Sequence, residues 1–161
     1  MLTWYVQEQS TSCVAACVRM VLTGFGVMWT EAQVRMVFGH PRLGITLTAA
    51  HARLIHVGAR AALHEDWNLD DLRETLRRSR YPIVGVERHL LGHPPASHAI
   101  VVVQITSRTI HALDPVEGPQ PQRSGREAFA LAWQMAGREA LVVEAPPHRV
   151  LPHNNVLLRP S

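Results

Sequence analysis

The chain has 161 residues, with 47% hydrophobic and 18% charged residues, which suits one globular domain rather than a disordered segment. Its formal charge of +3 rests on 16 cationic side chains, all Arg; without Lys there is no Schiff-base chemistry on a lysine amine and no Walker A phosphate loop. The Arg residues are scattered except in "RETLRRSR" (Arg73 to Arg80), where no aromatics interleave, so this stretch reads as a solvated helix face and nucleic acid is not expected as a partner.

In chain order, the polar start "MLTWYVQEQSTS" gives way to an apolar helix from Cys13 to about Thr23. Val14, Cys17, Val18, Val21 and Leu22 fall on one side of it, and Gly24 and Gly26 end it. "TEAQVRMVF" opens with Thr30 and carries Gln33 three residues later, a capping-box pattern. "TLTAAHARLIHVG" reads as a third helix stopped by Gly58. "NLDDLRETLRRS" reads as a fourth, with acidic residues early and Arg late, as the helix dipole favours. The second half reads as strands: "YPIVGVE", the longer buried run "SHAIVVVQI", and "TIHALDP", the last two joined through "TSR" as a hairpin. A helix "GREAFALAWQMAG", with Phe129 and Trp133 as core residues, and a strand "EALVVEA" follow. The organisation is α+β, with residues 1–145 as one domain and 146–161 as a Pro-rich tail.

Two Cys are too few for a disulfide framework. Cys13 and Cys17 are not expected to bridge each other: side chains four apart on a helix are ~5–6 Å apart at Cβ, whereas a disulfide wants ~3.8 Å. The N-terminus lacks a basic region followed by an apolar one, and the longest apolar run is broken by Arg19. No signal peptide and no membrane segment are expected, and a reducing cytoplasm is the expected compartment.

Cys13 stands at the start of its helix, where free N–H groups and the dipole lower a thiol pKa. "STS" before it offers capping hydroxyls, and Gln7 could fold back over the same helix end as an amide donor. His98 begins a strongly apolar strand, where a polar ring needs a reason. Asp114 closes the next strand. Reflection about Ser107 sets position 98 near position 116, which brings Asp114 within a residue or two of His98. Cys, His and Asp in that order form a coherent nucleophile, base and orienting group. Each also has a plain structural reading: Cys13 as a small buried hydrophobe, His98 as a satisfied sheet histidine, Asp114 as a turn residue before Pro115, Gln7 as a surface amide. His89, His93 and His98 match no standard metal-ligand spacing. No metal and no cofactor are expected.

Gln7-x5-Cys13, "CVAACVRM", "SHAIVVV" and "IHALDPVEG" resemble the papain-like peptidases of the C39 class, the processing domains of bacteriocin-exporting transporters, some relatives of which stand alone. The likeness extends through "GITLTAAHARLIHVGARA", similar to the family's second helical segment and the strand after it, and through "EAFALAWQMAGREALVVE". The resemblance implies a papain-like fold, helices packed on an antiparallel sheet. It implies a cysteine peptidase with Cys13 as nucleophile, His98 as general base, Asp114 as the residue orienting it and Gln7 in the oxyanion hole. A peptide or protein is the implied substrate. Val14 stands where the family usually has Gly, and Ser12 where it has Asp. The same fold also admits acyl or peptidyl transfer from the thioester, or peptide binding without catalysis. The connection Arg88 to Ser97 is expected to border the substrate groove.

Overall fold

The computed structural model describes residues 2–148. Residues 149–161, most of the expected Pro-rich tail, lie outside the described residues. The elements in order are α1 (Cys13–Thr23), α2 (Glu31–Val37), α3 (Leu47–His56), β1 (Arg60–His64), α4 (Leu69–Arg77), β2 (Ile83–Glu87), a 3₁₀ turn (Arg88–Leu91), β3 (Ser97–Ile105), β4 (Thr109–Leu113), β5 (Gln122–Gly125), α5 (Arg126–Met135) and β6 (Ala140–Ala145).

The six strands form one antiparallel sheet in the order β1-β6-β2-β3-β4-β5. Both of its faces are covered. α1, α2 and α3 build a core on one face from Cys17, Val18 and Leu22 against Val101, Leu113 and Leu141. α4 and α5 build a second on the other, from Leu72, Phe129 and Trp133 against Val84, Val102 and Ile110. Double coverage explains why "AIVVV" in β3 shows no polar alternation, the pattern of a strand buried on both sides. Fully burying an aromatic such as Trp133 or Phe129 contributes about 1.5–3 kcal/mol, and both are buried.

Helix ends follow their sequence signals. Thr30 Oγ1 accepts from Gln33 N at 3.1 Å and Thr30 N donates to Gln33 Oε1 at 2.8 Å, closing the capping box of α2. Asn68 and Asp71 close a second one on α4. α1 differs from expectation, because Ser12 gives it no side-chain cap. The Ser12 hydroxyl instead donates to Gln9 O and accepts from Gln9 N, both at 3.0 Å. The Thr11 hydroxyl donates to Arg42 O at 3.1 Å. The hydroxyls before Cys13 shape the incoming loop and leave the first-turn N–H groups of α1 uncapped.

β3 and β4 pair Val101 with Leu113 and Val102 with Ala112, then Gln104 with His111 and Ile105 with Ile110. The register therefore shifts by one residue at Val103, a β-bulge. On the far side of the bulge from the turn, the register carries His98 level with the chain just after Leu113.

Candidate active site

Cys13 is the first residue of α1 and is half-buried. The helix packs on β3, where the Cys17 thiol donates to Ala99 O at 3.4 Å. That contact sets the start of α1 beside the start of β3. His98, the second residue of β3, is buried, and so is Asp114 immediately after β4. His98 Nε2 lies 2.7 Å from Asp114 Oδ1. The same oxygen accepts Val116 N–H at 2.8 Å, and the Asp114 carbonyl accepts the Trp4 indole N–H at 2.7 Å. With Nε2 on the carboxylate, Nδ1 is the ring nitrogen left for the Cys13 thiol, which shares the same cavity walls.

The electrostatics follow from these contacts. Burial pushes the Cys13 thiol pKa up, but the hydrogen bond and charge of His98, with the Ala99 and Val14 N–H groups, outweigh it and hold the thiol below its ordinary value. Burial pulls His98 down, yet the Asp114 carboxylate and Cys13 raise it to about 9. Burial raises Asp114, but His98, Val116 N–H and the Arg88 charge together bring it below the usual carboxylate range. The imidazolium thus stabilises the thiolate on one side and the carboxylate on the other, and each anion stabilises it in turn. Cys17, one turn further along α1, is the opposite case: full burial, reinforced by the Cys13 and Asp114 charges, pushes its thiol well up.

Gln7 N donates to Pro115 O at 2.9 Å, which anchors the N-terminal segment beside Asp114. The Gln7 side-chain amide donates to Gln9 O at 2.8 Å, and its Oε1 is buried without a partner. A primary amide has two N–H donors, so one remains. Two cavities meet over the Cys13–His98 pair and share Ile45, Thr46 and Ser97 in their walls. One, of about 370 Å³, runs past Val14, Gly85, Glu87 and Met135. The other, of about 430 Å³, is walled by Gln7, Gly44, Arg88 and Ala96. Both ends of the Arg88–Ser97 connection line the groove. Val14, buried in the core below, forms part of its wall.

The structure sets Gln7, Cys13 and His98 in the walls of one groove, with Asp114 buried and bonded to the His98 ring. It also places nearby two residues that the sequence does not flag. Arg88 is ion-paired with Glu117, which also takes His93 Nδ1 at 3.4 Å. Glu31 lies fully buried under the loop before Cys13; in the sequence it is only the acid of an i,i+4 pair with Arg35, the ordinary mark of a solvated helix face. Among the described residues no group of three or more His, Cys, Asp or Glu could hold a metal ion.

The family model described as the peptidase C39 family matches residues 2–146. Three solved structures have the same fold. A C39-like peptidase from Bacillus anthracis has a TM-score of 0.73 at 10% identity, over 91% of this chain and 99% of its own. The peptidase domain of Streptococcus ComA, a bifunctional ABC transporter of a quorum-sensing pathway, has a TM-score of 0.69 at 19% identity, over 89% and 98%. A double-glycine-motif protease from an AMS/PCAT transporter, solved with its leader peptide, has a TM-score of 0.67 at 18% identity, over 91% and 92%. No curated protein shows significant sequence similarity to the chain.

Proposed function

The chain belongs to the peptidase C39 family and is a cysteine peptidase, and on that premise we propose that it cleaves a peptide bond through a thioester on Cys13. The observation that carries this reading is the His98–Asp114 contact of 2.7 Å beside a thiol held below its ordinary pKa.

The Cys13 thiolate attacks the scissile carbonyl carbon, forming a C–S bond as the carbonyl π pair moves to oxygen. The free N–H of the Gln7 amide and the uncapped N–H at the start of α1 stabilise that oxyanion. The protonated His98 gives its proton to the departing amine nitrogen as the C–N bond breaks. Water then attacks the thioester while His98 takes its proton, and the Cys13 thiolate leaves. Asp114 keeps Nε2 protonated and the ring aimed through both steps.

A peptide ending in two glycines before the scissile bond is the substrate class suggested by kinship with double-glycine peptidase domains. Residues 1–145 form the peptidase unit and 146–161 an appended tail. Two free thiols suit a reducing cytoplasm. Among the described residues no helix is long and apolar enough to cross a membrane.

The test is the alkylation rate of Cys13 against pH, in a Cys17→Ala background, with and without His98→Ala. The expected rate persists well below neutral pH and collapses without His98. A rate that tracks an ordinary thiol near pKa ~8.5 in both proteins would overturn the reading.

A further inference from the structure

A buried carboxylate with no place in the mechanism touches the neighbour of a residue that has one. Glu31, the first residue of α2, is fully buried. Both of its oxygens accept the Glu8 backbone N–H, at 3.1 and 3.2 Å. Glu8 follows Gln7, and Ser12 precedes Cys13. The carboxylate therefore fixes the amide-donor end of the loop, and the Gln9–Ser12 bonds link that end to the residue before the thiol.

The remaining contacts make this clamp rigid. Arg35 Nε stands 3.4 Å from Glu31 Oε2, and Arg35 also reaches the Glu8 carboxylate at 3.2 Å. Arg19, from α1, reaches Glu8 at 3.9 Å and stacks 3.6 Å over the Tyr5 ring. The loop closes on itself through Gln9 and Ser12. On its other side the segment is tied to the Asp114–Pro115 backbone by Trp4 and Gln7. A buried charge is costly and an apolar side chain of similar volume is often at least as stabilising, so fold stability alone does not account for a carboxylate here. A main-chain N–H that must be held at a fixed height does.

We propose that Glu31 is a positioning residue for the oxyanion side of the groove, setting Gln7 relative to Cys13 through Glu8 N–H and the Gln9–Ser12 turn that follows it. The inference rests on the thioester reading above. It separates two kinds of reaction at the same sulfur. Acylation by an ester passes through a tetrahedral oxyanion and needs Gln7 in place. Alkylation by iodoacetamide is a displacement at an sp³ carbon with no oxyanion, and needs only the Cys13–His98 pair.

The experiment uses the whole chain with Cys17→Ala and two probes, p-nitrophenyl acetate and iodoacetamide. Glu31→Ala is expected to slow acylation by about 10–100-fold, somewhat less than removal of an oxyanion donor itself, while alkylation stays within about twofold of the parent. Gln7→Ala is expected to behave the same way, and Glu31→Ala added to Gln7→Ala to cost less than about threefold more, because both changes remove one interaction. Glu31→Gln keeps an acceptor for Glu8 N–H and the side-chain volume. It serves where Glu31→Ala fails to fold, and its acylation rate is expected between those of the parent and Gln7→Ala. Independent, multiplying losses in the double variant, or equal losses of acylation and alkylation, would overturn the proposal. A parent protein inert to both probes would overturn the thioester reading itself, and this inference with it.

Discussion

Trp4 and Asp114 are 110 residues apart in the chain, yet the Trp4 indole N–H donates to the Asp114 main-chain carbonyl at 2.7 Å. The N-terminal segment that carries Gln7 is thus fastened to the backbone of the residue that holds His98. Trp4→Phe keeps an aromatic side chain and removes the donor. Leaving that carbonyl unpaired is expected to cost about 1–3 kcal/mol of stability, read as a lower denaturant midpoint. Peptide hydrolysis is expected to fall with it, because the loss is at the seam between the amide donor and the carboxylate.

Asp114→Asn preserves shape and the acceptor for Val116 N–H but removes the charge that raises His98. Peptide hydrolysis should fall by roughly 10³–10⁴-fold, the scale seen when an orienting carboxylate becomes an amide. The pH profile of Cys13 alkylation should move toward that of an ordinary thiol. A profile unchanged in Asp114→Asn would mean that the carboxylate does not sustain the thiolate–imidazolium pair.

The pH dependence of stability follows from two shifts of opposite sense. His98 binds a proton more tightly when folded, its pKa raised from 6.5 to about 9. Its contribution is complete below the ordinary value and is lost as pH rises toward 9. Cys13 is lowered from 9.0, so its contribution is present above that value and is lost as pH falls through the folded one. In wild type the two slopes oppose each other below pH 9. Cys13→Ala removes the second and the share of the first that Cys13 supplies, leaving the share that Asp114 supplies, so its unfolding free energy should decline as pH rises above the ordinary His value, where wild type stays flatter. Denaturant midpoints measured at half-unit pH intervals give the comparison. The same variant should be folded and without peptidase activity.

Gly44 has φ +88°, and a Cβ there would lie 3.0 Å from the Thr11 carbonyl, two residues before Cys13. Gly26 has φ +76° and open space around it. Ala at either position pays the left-handed backbone penalty of about 1–2 kcal/mol. Only Gly44→Ala pushes on the loop before the thiol. The two variants are therefore expected to lose similar stability, with peptide hydrolysis reduced in Gly44→Ala alone.

Much of this molecule is legible in its sequence, for local reasons. The bounds of α1, the capping box of Thr30 and Gln33, and the run Ser97–Ile105 are set by neighbours a few residues apart. β5, "QRSG", carries no apolar alternation and exists because β4 offers it a partner edge. β1 is half-buried along most of its length and is suggested only by the family likeness. Coverage of both sheet faces is a tertiary fact: nothing in "NLDDLRETLRRS" says that Leu72 turns to the side opposite α1. At the site, Gln7, Cys13, His98 and Asp114 stand out because each is a polar or reactive residue at an apolar boundary. Glu31 and Arg88 do not, since burial and distant partners, not residue type, give them their importance. Ser12 reads as a cap and is spent on Gln9, because its loop turns back before the helix begins.

The bulge at Val103 divides the β3–β4 hairpin into two registers. A strand's side chains alternate faces, so a slip of one residue would turn His98 away from Cys13. The extra residue takes up that slip between the tip and the groove. The tip at Thr106–Thr109, closed by its own hydroxyl and main-chain bonds, is in effect a separately geared end of the ribbon. It is a natural place to graft a fluorophore or tether the protein to a surface, since strain introduced there has a joint to relax into before it reaches the ring of His98.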